Sequence, residues 1–403
     1  MLLLSNGAFS QTFDKFFTDK TLRIDYIFSG SATEQEISVD KMSCLPHWYG
    51  KRCNLSQTPV EGNGQIFVYQ HQTQQLIYKY TFSTLFQEWQ SYPEAQSTRK
   101  AFQHVALLPY PNDTVDVKIQ LFNNRREVVA IMQHTIAPGD ILIQPKGFSQ
   151  CTPYETILQP TDTLHAINIA FVAEGYQQEE MDVFIKDVNT AVEALFEYEP
   201  FKGNKDKFRI IAVKSPSVDS GVSLPRAHDW KQTAVSSHFD TFYMDRYLTT
   251  LQLQQVHDLL AGLPYEHIII LANTSTYGGG GILNLFNLTS THHNYYKEVV
   301  VHEFGHSFAG LADEYAYENE PLEIYPLDIE PWEPNITTLV AFNSKWETSE
   351  GNTSGTGLFE GSGYRMKGIY RPTPDCRMRS NQHPDFCPVC QQGIQRVIDS
   401  YSK

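Results

Sequence analysis

Positive charge is scarce in this chain. Its 403 residues carry 31 Lys and Arg against 46 Asp and Glu, a formal net charge of −15. That balance argues against nucleic acid as a partner, because phosphate binding needs clustered Lys and Arg. Long apolar runs are also missing, and nothing approaches the roughly 20 residues of a transmembrane span. Cysteines number six, with one Cys-x-x-Cys pair, Cys387-Pro388-Val389-Cys390. A zinc ribbon needs a second such pair, and a redox motif needs a thioredoxin-like setting that is not signalled. The expectation is a structural bridge among Cys376, Cys387 and Cys390, a local bridge between Cys44 and Cys53, and Cys151 unpaired. The glycine run Gly278 to Gly281 lacks the spacing and the lysine of a phosphate loop.

What is present belongs to a folded protein. Hydrophobic residues make up 41% and aromatic residues 13%, which argues against disorder. The length points to two domains. Met1 to Gln11 reads as the tail of a secretory signal peptide, with small residues around Ala8-Phe9-Ser10. From there to residue 146 short β-branched and aromatic runs recur: LRIDYIF, GQIFVYQ, LIYKYTF, VDVKIQLF, VVAIMQH and ILIQP. Turn formers separate them, so the spacing predicts an antiparallel β-sandwich over 11–146. Its histidines, His47, His71, His104 and His134, are scattered and read as structural. Residues 147–162 form a linker.

Residues 163–403 read as an α/β domain. Ala166 to Ala173 and His267 to Leu271 are apolar strand segments, as is Phe208 to Val213. Glu179 to Phe196 places Met181, Phe184, Ile185, Val188, Val192 and Leu195 on one helical face. A further helix is predicted over Thr249 to Leu260. Glu318 to Thr356, rich in Pro, Asn, Glu, Thr and Ser, forms long loops that would border a cleft.

The chemistry concentrates in His302 to Tyr315, HEFGHSFAGLADEY. Histidines four apart lie on one side of a helix, where both can reach one metal ion. Glu303 then stands beside the open coordination position as a general base and later a general acid. These are the parts of a zinc-activated water. Apolar residues before and within the motif bury the helix, where two imidazoles and a carboxylate are costly unless something satisfies them. A third ligand is required. Gly310 suits a left-handed helix cap; beyond it Asp313 is the favoured ligand and Glu314 the alternative. Met378, in Cys376-Arg377-Met378-Arg379, is a candidate for a turn beneath the metal, or a filler of a core gap. Gly279 and Gly280 are candidates for an edge strand that receives an extended substrate. Tyr370 is a candidate to assist the oxyanion.

HEFGHSFAGLADEY resembles the metzincin pattern HExxHxxGxxH or HExxHxxGxxD, except that Ala309 stands where the glycine belongs and Gly310 comes one residue late. A closer resemblance is to the bacterial IgA peptidases, metallopeptidase family 64. It is carried by the same stretch, by YRPTPDCRM downstream, and by FEYEPFK and SPSVDSG upstream. FDKFFTDKTLRIDYIFSG also looks like the extra N-terminal domain of Bacteroidetes members. The resemblance implies a two-domain α+β protein, a sandwich followed by a metzincin-like α/β zinc peptidase domain. It further implies a secreted zinc endopeptidase acting on protein or peptide. With the signal-like start, the expected location is secreted, periplasmic or at the cell surface, and the N-terminal sandwich reads as a support or a docking module for surface association. It does not imply that immunoglobulin A is cut. The rivals are a surface- or glycan-binding protein with a vestigial site, and a zinc amidase acting on peptidoglycan.

Overall fold

The sequence divides into a β-rich first third and a mixed remainder, and the computed structural model follows that division. It describes residues 12–318, 324–348, 351–352 and 355–402. The expected signal segment, Met1 to Gln11, lies outside these residues, as does part of the loop-rich Glu318 to Thr356.

After a short helix α1 (Phe13–Phe16), the N-terminal part forms two four-stranded sheets. The first is ordered β5 (Lys100–Pro111), β1 (Phe17–Gly30), β2 (Gln35–Leu45) and β8 (Gln144–Pro145). The second is ordered β4 (Leu76–Phe82), β3 (Gly64–Gln70), β6 (Val115–Phe122) and β7 (Val128–Ile136), antiparallel throughout. Helix α2 (Leu85–Trp89) follows β4, with the Thr84 hydroxyl accepting from the Gln87 N–H as its N-terminal cap. Ile24, Tyr26 and Phe28 of the first sheet and Ile66, Val68, Val117 and Ile119 of the second share one core.

The C-terminal part is built on a six-stranded sheet: β13 (Gly279–Ile282), β14 (Phe286–Ser290), β12 (His267–Ala272), β10 (Ile167–Glu174), β11 (Phe208–Val213) and β9 (Tyr154–Leu158). The inner four strands are parallel and both edge strands antiparallel. Every residue of β10 is buried, as expected of a mostly apolar strand covered on both faces; its two polar residues, Asn168 and Glu174, are hydrogen-bonded inside. Strand β9 lies inside the span 147–162, so that segment contributes an edge to the C-terminal sheet as well as a connection.

One face of the sheet carries Ile167, Ile169 and Phe171, packed with α3 (Met181–Leu195), α5 (Tyr296–Ala309) and α6 (Pro388–Asp399). On the other face, Ala170, Val172, Ile211, Val213, Ile268 and Ile270 join the core of the N-terminal sheets. The short helix α4 (Leu253–Leu259) also lies there. Arg23 of β1, fully buried, is held by Asp25 at 2.6 Å and reaches Asp258 at 2.5 Å. A three-stranded sheet completes the fold, β15 (Ala316–Tyr317), β19 (Tyr364–Arg371) and β18 (Phe359–Ser362), beside a small hairpin of β16 (Glu347–Thr348) and β17 (Gly351–Asn352). No helix among the described residues is long and apolar enough to cross a membrane.

The structure corrects the two expected bridges and agrees with Cys151 as an unpaired thiol. All six thiols are free. Cys44 sits in β2 opposite Leu22. The Cys53 sulfur turns the other way, to the Ser400 carbonyl 3.4 Å off, so a local bridge does not form.

Candidate metal centre and catalytic cleft

Helix α5 runs along the sheet beneath the edge strand β13. Phe304 and Phe308 on its inner face stack 5.0 Å apart and meet Phe201, which fixes the helix rotation and turns His302 and His306 outward. Gly310 ends the helix in the left-handed conformation, φ 60°. A β-carbon there would meet the Trp332 ring at 2.6 Å and Val60 at 2.8 Å, so both conformation and space call for glycine. The chain then doubles back. Asn335 grips it, accepting from the Ala312 N–H at 2.8 Å and donating to the Ala312 carbonyl and the Glu314 carboxylate, each at 2.9 Å.

This path brings Asp313 to the histidines. Its Oδ1 lies 3.0 Å from His302 Nε2 and 3.3 Å from His306 Nε2, and the two Nε2 atoms are 3.1 Å apart. Each Nδ1 faces a backbone carbonyl, His302 that of Arg377 at 3.0 Å and His306 that of Leu311 at 2.5 Å. Nδ1–H therefore donates, and in a neutral ring Nε2 is left with a lone pair. Two lone pairs and a carboxylate oxygen converge on one point, an arrangement that repels itself unless a cation sits among them. The donor set suits a divalent metal such as zinc. The same demand for positive charge shows in protonation. Burial opposes charge on both partners, yet Asp313 is held well below the usual carboxylate range by His306 and His302. Burial would also lower His306, but Asp313 carries it up to about 9. Glu314, next in sequence, points away, its Oε1 3.2 Å from Cys390 Sγ.

Glu303 lies on the cleft side of the helix. Burial raises its pKa, against the pull of His302 and His306 and the donated Gly281 N–H. Gly279 and Gly281 let β13 lie close above it. A β-carbon at 279 would sit 3.2 Å from Glu303 Oε1, and one at 281 only 2.1 Å from the Glu303 carbonyl oxygen. Gly280 faces the Tyr247 ring, 2.9 Å from where its β-carbon would be, and Tyr247 also bridges to Gly279. Beneath the helix, the buried Met378 packs its sulfur against Gly305, 2.8 Å from a β-carbon built there, and its carbonyl accepts from the Glu314 N–H at 2.8 Å.

Several neighbours carried no signal in the sequence. The Tyr364 hydroxyl donates to Asp313 Oδ2, so Tyr364 is a tyrosine in contact with the centre. From the N-terminal part, Glu88 of α2 accepts from Tyr247 at 2.5 Å. It lies near enough for Asp313 and His306 to influence it, and burial pushes its carboxyl up to about 7. Tyr80 donates to the Asn284 carbonyl at 2.8 Å, and Trp332 donates to Asn63 at 2.9 Å. The N-terminal part is thus one wall of the cleft. Its four histidines join no metal cluster among the described residues. His104, for example, stacks on Phe28, lies tilted against Phe82 and is kept neutral by burial.

A helix that aims two histidines and a glutamate into a cleft, met by a carboxylate from the following turn, defines a class, the metal-dependent peptidases. Within it the chain belongs to the IgA peptidase M64 family. The family model described as IgA Peptidase M64 matches residues 156–355 and 348–398, and the one described as Peptidase M64 N-terminus matches residues 12–133. No curated protein matches the chain.

Proposed function

We propose that the chain is a zinc endopeptidase acting on extended protein or peptide segments, with His302, His306 and Asp313 as ligands. The observation that carries this is the convergence of three donor atoms, both imidazoles already fixed in tautomer by backbone carbonyls. A zinc ion held there supplies Lewis acidity, lowering the pKa of water and polarising a carbonyl. Glu303 takes the proton from the attacking water and delivers it to the leaving nitrogen. Its raised pKa, a consequence of burial, suits a group that must both accept and give up that proton. Tyr364 holds Asp313 through its second oxygen, and the Arg377 carbonyl holds His302, as supporting partners of ligands do.

The likeness to metzincins extends, in this reading, to Met378 as the methionine turn. Its sulfur against Gly305, between the two histidine positions, supports that role. Gly279, whose α-carbon faces the Glu303 carboxylate, is where a substrate strand would pass; Gly280, under the Tyr247 ring, frames the same approach. The division into 11–146, 147–162 and 163–403 is retained as a functional one, with the first part lending Glu88 to the cleft. Action outside the cytoplasm or at the cell surface belongs to the same proposal, and fractionation of the producing cells tests it.

The decisive test is digestion of casein and of a proteome-derived peptide library with and without chelator. Glu303→Ala is expected to keep its zinc and lose cleavage by about 10²- to 10⁴-fold. Full turnover in that variant refutes the assignment.

A further inference from the structure

A second group of donors lies directly beneath the first. Cys376, Cys387, Cys390 and Glu314 are all buried, and one donor atom from each falls within 4.8 Å of the others. Cys376 and Cys390 place their sulfurs 3.8 Å apart. A disulfide needs about 2.05 Å, whereas two sulfurs on a tetrahedral zinc with bonds of about 2.3 Å stand roughly 3.8 Å apart. Glu314 Oε1 lies 3.2 Å from Cys390 Sγ and 4.0 Å from Cys387 Sγ. Those distances bracket the roughly 3.5 Å expected between oxygen and sulfur ligands of one such ion.

Further details favour thiolate character at Cys376 and Cys387. The Cys387 N–H points at Cys376 Sγ, 3.2 Å away, and the Cys390 N–H at Cys387 Sγ, 3.5 Å away. Cys387 caps the N-terminus of α6, where the helix dipole favours negative charge. Glu314 is fully buried, and its Oε2 has no hydrogen-bond partner. Three thiols and an incompletely satisfied carboxylate in a dry pocket make an incomplete set of contacts that one soft divalent cation would complete.

We propose that Cys376, Cys387, Cys390 and Glu314 bind a structural zinc ion, the three thiols giving up their protons to solvent. All four positions are filled by protein, the mark of a structural rather than a catalytic site. The ion would join three segments that shape the catalytic centre: Glu314, next to Asp313; Cys376, next to the Arg377 whose carbonyl orients His302; and the start of α6.

The full chain, purified in reducing buffer and saturated with zinc, is expected to hold two equivalents by elemental analysis. His302→Ala/His306→Ala should keep one, and Cys387→Ser/Cys390→Ser should lose one. Cobalt-loaded wild type should show a near-ultraviolet thiolate-to-cobalt charge-transfer band that persists in the histidine variant, because the other site has no sulfur ligand. Should the cysteine variant fail to fold, the histidine variant and the thiol state of the wild type decide alone. A disulfide among the three cysteines in denatured, alkylated, unreduced protein overturns the proposal, as does a histidine variant that binds no metal. If that variant keeps the band while wild type cuts no peptide, this site stands and the peptidase reading fails.

Discussion

Gly281→Ala tests how closely the edge strand must lie on the catalytic helix. A β-carbon at 281 would stand 2.1 Å from the Glu303 carbonyl oxygen, and 3.0 Å from both the Glu303 carbonyl carbon and the His306 β-carbon. Carbon–oxygen contacts settle at about 3.3 Å or more, so strand and helix must part by roughly 1 Å. The nearest obstacles are backbone, and no rotamer change relieves them. The Gly281 N–H, which donates to the Glu303 carboxylate, moves off with the strand. A misplacement of about 1 Å at a reacting group costs on the order of 10²-fold in rate. The expected result is a drop of about 10²-fold in kcat/KM, measured on a fluorogenic peptide chosen from the library digest, with metal content by elemental analysis unchanged. Gly139→Ala, where an added β-carbon meets nothing within 4 Å, is the matched control. Wild-type kcat/KM in Gly281→Ala refutes the reasoning.

Asp313→Ala removes the carboxylate whose oxygen contacts both imidazoles and should abolish metal binding at that centre; wild-type zinc affinity in a competition titration would count against it as a ligand. Tyr364→Phe leaves Asp313 Oδ2 without that donor, and metal affinity should fall about 10- to 100-fold; an unchanged affinity shows the contact to be incidental. Glu266 supplies a pH test of the fold. Burial pushes its carboxyl from the ordinary 4.5 up to about 7, against the Tyr401 hydrogen bond and the charge of Lys51. A folded pKa above the unfolded one favours the protonated acid. Its contribution is therefore complete below about pH 4.5 and is lost as pH rises through about 7, at most about 3 kcal/mol. Glu266→Gln should flatten the fall in Tm between pH 5 and pH 8, and an identical fall in both proteins excludes Glu266 as the cause.

The parts of the site that follow from helix geometry were legible in the sequence. Spacing alone sets His302 and His306 on one side of α5, and Gly310 announces where the helix stops. The strands of the second sheet were readable from their alternation. Others were hidden. Strand β2 alternates weakly against the solvent, with Glu36, Ser38 and Asp40 among its residues, and β5 contains Pro109 and ends on Pro111. In ILIQP only Gln144 and Pro145 pair, while Ile141 and Leu142 stand exposed. Tyr364, Asn335 and Glu88 reach the cleft from distant segments, and tertiary packing places them there. The free thiols were misjudged for a related reason. Spacing brings Cys387 and Cys390 together, but only the fold brings Glu314 to them and leaves Cys376 at a separation too wide for a bond.

Strand β10 has a two-sided allegiance with a practical consequence. Its odd-numbered residues, Ile167 to Ala173, face the helices, while Ala170 and Val172 face the N-terminal sheets. A gene severed near residue 146 would express a peptidase half with an aliphatic floor open to water. Such a fragment invites aggregation before it can be assayed, so the first third of the chain travels with the last two in any shuffling, natural or deliberate.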